Sequence, residues 1–102
     1  MTASAFSISL DDLERGAQFV HRTVSPTPQY AWPKLAQRSG CNVWVKHENH
    51  TPTGAFKVRG GLLYLDRLLR DMPDVPGIVS ATRGNHGQSI AFAAARSGIP
   101  AR

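Results

Sequence analysis

The 102-residue chain has one cysteine, Cys41, so it can close no disulfide on itself. That excludes a fold held by covalent staples and leads to the expectation of a reducing compartment. No apolar run approaches the ~20 residues that a membrane helix needs. Met1 to Leu10 lacks the basic start and apolar centre of a secretory leader. The expectation is a cytoplasmic protein without a membrane segment. Basic residues outnumber acidic ones by 12 to 7, for a net charge of +5. They are scattered rather than gathered in a run with aromatics, which argues against nucleic acid and for small anions. There is no G-x-G-x-x-G, and the spacing from Gly54 to Lys57 is not that of a Walker phosphate loop. His47-Glu48-Asn49-His50 is not H-E-x-x-H, so no metal site is expected, and these read as surface or strand-cap residues. Cys41 reads as a small buried group or an exposed bystander, since nothing beside it in sequence activates a thiol.

What is present is an alternation of helix and strand patterns in a length that allows one small domain. Ser9 followed by Asp11 and Asp12 marks a helix start, and Leu13, Ala17 and Val20 continue at helical spacing. Pro26 and Pro28 end that helix and impose an extended segment. Lys34 to Ser39 is either a short helix or an irregular stretch, closed by Gly40. Asn42 to His47 is rich in strand formers, and Thr51-Pro52-Thr53-Gly54 is a turn. From Ala55, the positions Val58, Leu62, Leu65 and Leu69 predict a helix that Met72-Pro73 stops. Gly77 to Ala81 reads as a short buried strand, Asn85 to Arg96 as a helix capped by Gly98, and Pro100 to Arg102 as the opening of another strand. Strand, helix, strand, helix, strand is the pattern of a parallel α/β layer with flanking helices.

Two stretches carry chemistry. Lys57 follows Gly54 and Phe56 at a predicted helix start. The positive end of a helix dipole disfavours an ammonium ion, and burial against Phe56 would disfavour it further. A neutral lysine amine is what condensation with an aldehyde to a Schiff base requires. Most lysines near a helix start are solvated surface groups, and that reading of Lys57 stays open. Gly84 lies between a predicted strand and the helix that begins at Asn85, where free backbone N–H groups can hold a carboxylate or phosphate. Thr82 adds a hydroxyl, Asn85 an amide, and His86 is either a helix-surface residue or a further polar contact.

These residues bring a family resemblance with them. Lys46-His47-Glu48-Asn49-His50-Thr51-Pro52-Thr53-Gly54-Ala55-Phe56-Lys57-Val58-Arg59-Gly60 resembles the K-x-E-x-x-x-P-T-G-S-F-K-x-R-G segment of threonine and serine dehydratases, which are fold-type-II pyridoxal-phosphate enzymes. Thr82-Arg83-Gly84-Asn85-His86-Gly87-Gln88 is similar to their S-x-G-N-H-A/G-Q loop, and Thr27-Pro28 to the Thr-Pro that begins their core. The resemblance runs from about Leu10 to Arg102. It implies an α/β fold of the tryptophan-synthase-β type, incomplete in this chain. Residues 1–76 would open the large cofactor domain and residues 77–102 the small substrate-loop domain. It implies pyridoxal 5'-phosphate as cofactor, with Lys57 as the linking lysine and α-proton base, Phe56 beside the ring, and Asn85 on the ring's 3′ oxygen. Thr82, Gly84 and His86 would belong to the loop for the substrate carboxylate. The implied reaction is loss of water from serine or threonine, then hydrolysis to a 2-oxo acid and ammonia, in a homo-oligomeric enzyme with an amino-acid substrate. Related activities share these motifs: β-elimination, β-replacement and racemisation. The family's phosphate loop and its partner for the pyridine nitrogen come later than residue 102. The expectation is therefore a fragment, inactive alone, and a non-catalytic interaction module is the rival of another class. Two positions depart from the pattern. Ala55 stands where serine is usual. Arg83 stands where a small residue is usual, and it would aid carboxylate capture, favour an acidic substrate, or point to solvent.

Overall fold

Ser9 and Asp12 cap the first helix reciprocally. The Ser9 hydroxyl accepts from Asp12 N at 3.1 Å and an Asp12 carboxylate oxygen accepts from Ser9 N at 2.9 Å. The structure is a computed structural model that describes residues 7–102. The reading of Met1 to Leu10 as lacking a leader therefore falls mostly on residues outside those described. Helix α1 spans Leu10–Val20, and only Val20 within it is buried. After it, the chain passes Pro26 and Pro28 into strand β1 (Gln29–Ala31), then helix α2 (Pro33–Ser39) and strand β2 (Trp44–Lys46). Pro33 at the first position of α2 supplies a preset φ where no N–H is needed. The ambiguous 34–39 stretch is thus helical.

The first strand is shorter than its composition suggests, and its partner is different. β2 pairs antiparallel with β1 in the register Gln29↔Lys46, Tyr30↔Val45, Ala31↔Trp44. It does not pair in parallel with the segment at 77–81; among the described residues the sheet has two strands, ordered β1-β2. The reason is the short α2 and its left-handed stop at Gly40, which turn the chain back beside the extended segment that follows the prolines. The parallel relation appears later instead. Ile78 bridges Ala101 in parallel, with Ile78 N donating to Pro100 O at 2.9 Å and Arg102 N to Ile78 O at 3.0 Å. The expected buried strand at 77–81 reduces to this bridge, and Val79 is 84% exposed because no described element covers its face.

A turn of 3-10 helix, Glu48–His50, leads to helix α3 (Lys57–Asp71), and α4 follows at Asn85–Ser97. α3 starts two residues later than the apolar pattern suggests, ends before Met72, and α4 closes on Gly98, as expected. The core lies between them and the end of α1. Val20, Val24, Val58, Leu62, Leu65, Ile90 and Ala93 form one buried cluster. Gly61 of α3 lies against Ser89 of α4 with no side chain of its own between them, so the starts of the two long helices sit side by side. That placement assembles the candidate site.

Candidate functional site

Lys57 is the first residue of α3 and Asn85 the first of α4. Lys57 lines a cavity of about 750 Å³ with Ala81, Thr82, Arg83, Gly84, Asn85 and His86. The two stretches singled out in the sequence, about 25 residues apart, therefore meet. No carboxylate lines this cavity, and Arg83 forms no ion pair among the described residues. Its lining is cationic, with Lys57, Arg83 and the start of α4.

The loop before α4 is shaped by one hydroxyl and one glycine. Thr82 Oγ1 accepts from Gly84 N at 3.1 Å and from Gly87 N at 2.9 Å. Gly84 has φ 153° and ψ −95°, a region that a side chain would make strained. The resemblance assigns Thr82 to the substrate, but its oxygen is taken by two loop amides, which leaves its O–H to donate. The N–H groups of Asn85 and His86 have no acceptor among the described residues. They are the free donors that an anion at a helix start requires.

Phe56 corrects an expectation. It is 62% exposed, and Lys57 is exposed too, so Phe56 does not bury the amine. Its ring lines a second cavity of about 590 Å³ with Tyr64, Ile78, Val79 and Ile90, and Lys57 and His86 border both cavities. Residue spacing alone does not say what meets a ring at the cap position of a helix.

Three groups hold the lysine segment, and sequence reasoning missed each. Thr51 Oγ1 accepts from Ala55 N at 3.0 Å and donates to Ala55 O at 2.7 Å, which closes the loop ahead of α3. Glu48, read as a surface or strand-cap residue, accepts from Arg59 Nε at 2.7 Å and Nη2 at 3.1 Å and from Thr27 Oγ1. The Arg59 guanidinium, then the Thr27 hydroxyl, lower the Glu48 carboxyl to about 2 against the opposing effect of burial. Ser89 of α4, 1% exposed, donates its hydroxyl to Lys57 O at 2.6 Å. Thr27, Glu48 and Arg59 all fall within the resembling stretches, and that shared membership was the available signal. Ser89 showed only as a polar residue beside the apolar stripe of its helix. His47 is tied up elsewhere: Trp32 Nε1 donates to His47 Nε2 at 3.0 Å, with the Tyr30 ring 5.6 Å away. Cys41 is exposed.

Residues 20–102 match the sequence profile of pyridoxal-phosphate dependent enzymes. The chain belongs to that family. It is 35% identical over 82 residues to a biosynthetic, chloroplastic threonine dehydratase 1 of Solanum lycopersicum, covering 80% of this chain and 13% of the relative. It is 35% identical over 98 residues to serine racemase of Mus musculus, covering 94% of this chain and 29% of the relative. The crystal structure of a pyridoxal 5'-phosphate-dependent aspartate racemase superposes on 97% of this chain and 31% of its own, with TM-score 0.84 and 28% identity. The chain thus spans well under half the length of these relatives. Its fold is that of the fold-type-II pyridoxal-phosphate enzymes, whose cofactor is pyridoxal 5'-phosphate. The donor set fits that group: an exposed primary amine for its aldehyde, an amide at Asn85, and a cavity large enough for a small ligand.

Proposed function

We propose that this chain forms the lysine-bearing part of an enzyme that dehydrates and deaminates serine or threonine to a 2-oxo acid and ammonia. The observation that supports it is the shared cavity of Lys57 and the Thr82–His86 loop, cationic and free of carboxylates. When bound, pyridoxal 5'-phosphate supplies an electron sink for the charge left on the substrate α-carbon. The chain's residues do the rest. Lys57 would hold the cofactor through its Nζ and would remove the substrate α-proton at that same atom. Phe56 would lie beside the cofactor, and Asn85 would hold its orientation with the side-chain amide. The free N–H groups of Asn85 and His86, with Thr82, Gly84 and Arg83 around them, hold the substrate carboxylate and turn the α-proton toward Lys57. Within this reading residues 1–76 belong to the large domain and 77–102 to the small one, in a homo-oligomer.

A second reading is racemisation, favoured by the 35% identity to serine racemase and by the aspartate racemase structure. Both reactions begin with the same proton removal. They part afterwards, when the proton returns on the opposite face or the β-hydroxyl leaves. β-Replacement would share the same start. The test is a protein carrying this chain at the full family length, given cofactor and L-serine, L-threonine or L-aspartate. Release of 2-oxo acid supports dehydration, and appearance of the D-amino acid without it supports racemisation. Borohydride reduction and peptide mapping should place the cofactor on Lys57; a label on Lys46 or Lys34 would overturn the mechanism.

A further inference from the structure

Helices α3 and α4 cross with Gly61 of one against Ser89 of the other. A Cβ at Gly61 would lie 3.0 Å from Ser89 O, so the two backbones are nearly in contact. Ser89 is 1% exposed there, next to the buried Ile90, Ala93 and Ala94. A hydroxyl in such a place costs free energy unless it is bonded, and a serine inside a helix ordinarily bonds a carbonyl one turn back on its own helix. Ser89 instead donates across the crossing to Lys57 O at 2.6 Å. Alanine would fill nearly the same space but could not make that bond.

The two ends of this bond fall at telling places. Lys57 is the first residue of α3, and Ser89 lies one turn into α4, which starts at Asn85 behind the Thr82–Gly84 loop. Lys57 also borders two cavities, the polar one at that loop and the apolar one at Phe56 and Tyr64. We propose that Ser89 is a positioning residue: its bond to the Lys57 carbonyl holds the first turn of α3 in register with α4, so that the lysine amine serves the polar cavity. Without the bond, the turn has no polar tie to α4, and the amine divides between the two cavities. The inference rests on the reading that Lys57 carries the cofactor.

The test uses the full-length protein with Ser89→Ala, Ser89→Cys, and Ala93→Gly, the last a packing change on the same helix that does not touch Lys57. Without cofactor, competitive acylation and peptide mapping read the reactivity of Lys57 against Lys34 and Lys46 in one sample. With cofactor, the pH midpoint of its absorbance, kcat and KM are read. Ser89→Ala should change relative Lys57 acylation about threefold and move the absorbance midpoint by about half a unit. It should lower kcat about tenfold or more while KM changes little. Ser89→Cys, of similar size with a weak donor, should fall between, and Ala93→Gly should move none of these even at an equal loss of thermal stability. If Ser89→Ala and Ala93→Gly behave alike, Ser89 only fills space and the proposal is wrong. If Lys57 never takes up cofactor yet its acylation responds to Ser89→Ala, the functional reading fails and the positioning stands. Normal uptake with acylation and absorbance unchanged in Ser89→Ala overturns the positioning and leaves the functional reading in place.

Discussion

The two helix starts that meet at the cavity are built differently. The start of α3 is tied down from three sides: by the Thr51 hydroxyl on both polar groups of Ala55, by Glu48 on Arg59, and by Ser89 on the Lys57 carbonyl. The start of α4 rests on one hydroxyl, Thr82, and on a glycine in a backbone region closed to other residues. Its residues from Ala81 to His86 are exposed, and two of its amides have no partner among the described residues. A group that must meet an aldehyde at a fixed point gains from rigid support. A loop that must take and release an anion needs unsatisfied donors, and it belongs to the less stable part of a structure. Under the proposed function, the contrast follows a division of labour between holding a cofactor and exchanging a substrate.

That contrast can be broken at four points, from the largest effect to the smallest, each in the full-length protein. Lys57→Ala should abolish the lysine linkage and lower turnover by more than the ~10²–10⁴ usual for loss of a general base, because in the proposed mechanism one residue serves two steps. Borohydride labelling and single-turnover rates check it. Glu48→Gln tests the support of α3. The folded carboxyl titrates at about 2 against an ordinary 4.5, so its stabilisation is fully present above 4.5 and is lost as pH falls toward 2. After a discount for partial exposure, the parent protein should lose ~1 kcal/mol more than Glu48→Gln between pH 7 and pH 3, read by urea unfolding at each pH.

Thr82→Val tests the other helix start. It removes the acceptor for Gly84 N and Gly87 N and should cost about 0.5–2 kcal/mol locally. Hydrogen exchange should quicken at those two amides while labelling of Lys57 is unchanged; a coupled change at both helix starts would show that they are not independently built. Arg83→Ala is the mildest. Stability should stay within about 0.5 kcal/mol, and the Michaelis constant should rise with kcat kept. A larger rise for aspartate than for serine would assign Arg83 to an acidic side chain, and no rise would assign it to solvent.

Sequence and structure agree where the information is local. The Ser9 cap, the runs from Val58 to Leu65 and from Ile90 to Ala94, and the Gly98 stop follow from neighbouring residues and a helical period. The family's two motifs are likewise contiguous, so Lys57 and the Thr82–His86 loop could be named from the chain alone. Strand β1 could not, because Gln29-Tyr30-Ala31 has no pattern of its own and becomes a strand only through β2, after α2 reverses the chain. The exposure of Phe56 was equally hidden, since no residue near it in sequence decides what stands over its ring.

Determined by the sequence itself were helices α1, α3 and α4, the Ser9 cap, the Gly98 stop, and the places of Lys57 and Gly84 at two helix starts, because backbone propensity and covalent order act over a few residues. Left to the tertiary structure were the pairing of β1 with β2, the ion pair of Glu48 with Arg59 backed by Thr27, and the bond from Ser89 to Lys57. Each joins groups that a polar side chain recognises only once burial has brought distant segments together. The energy of such a bond depends on the water it excludes, and no stretch of the chain excludes water alone.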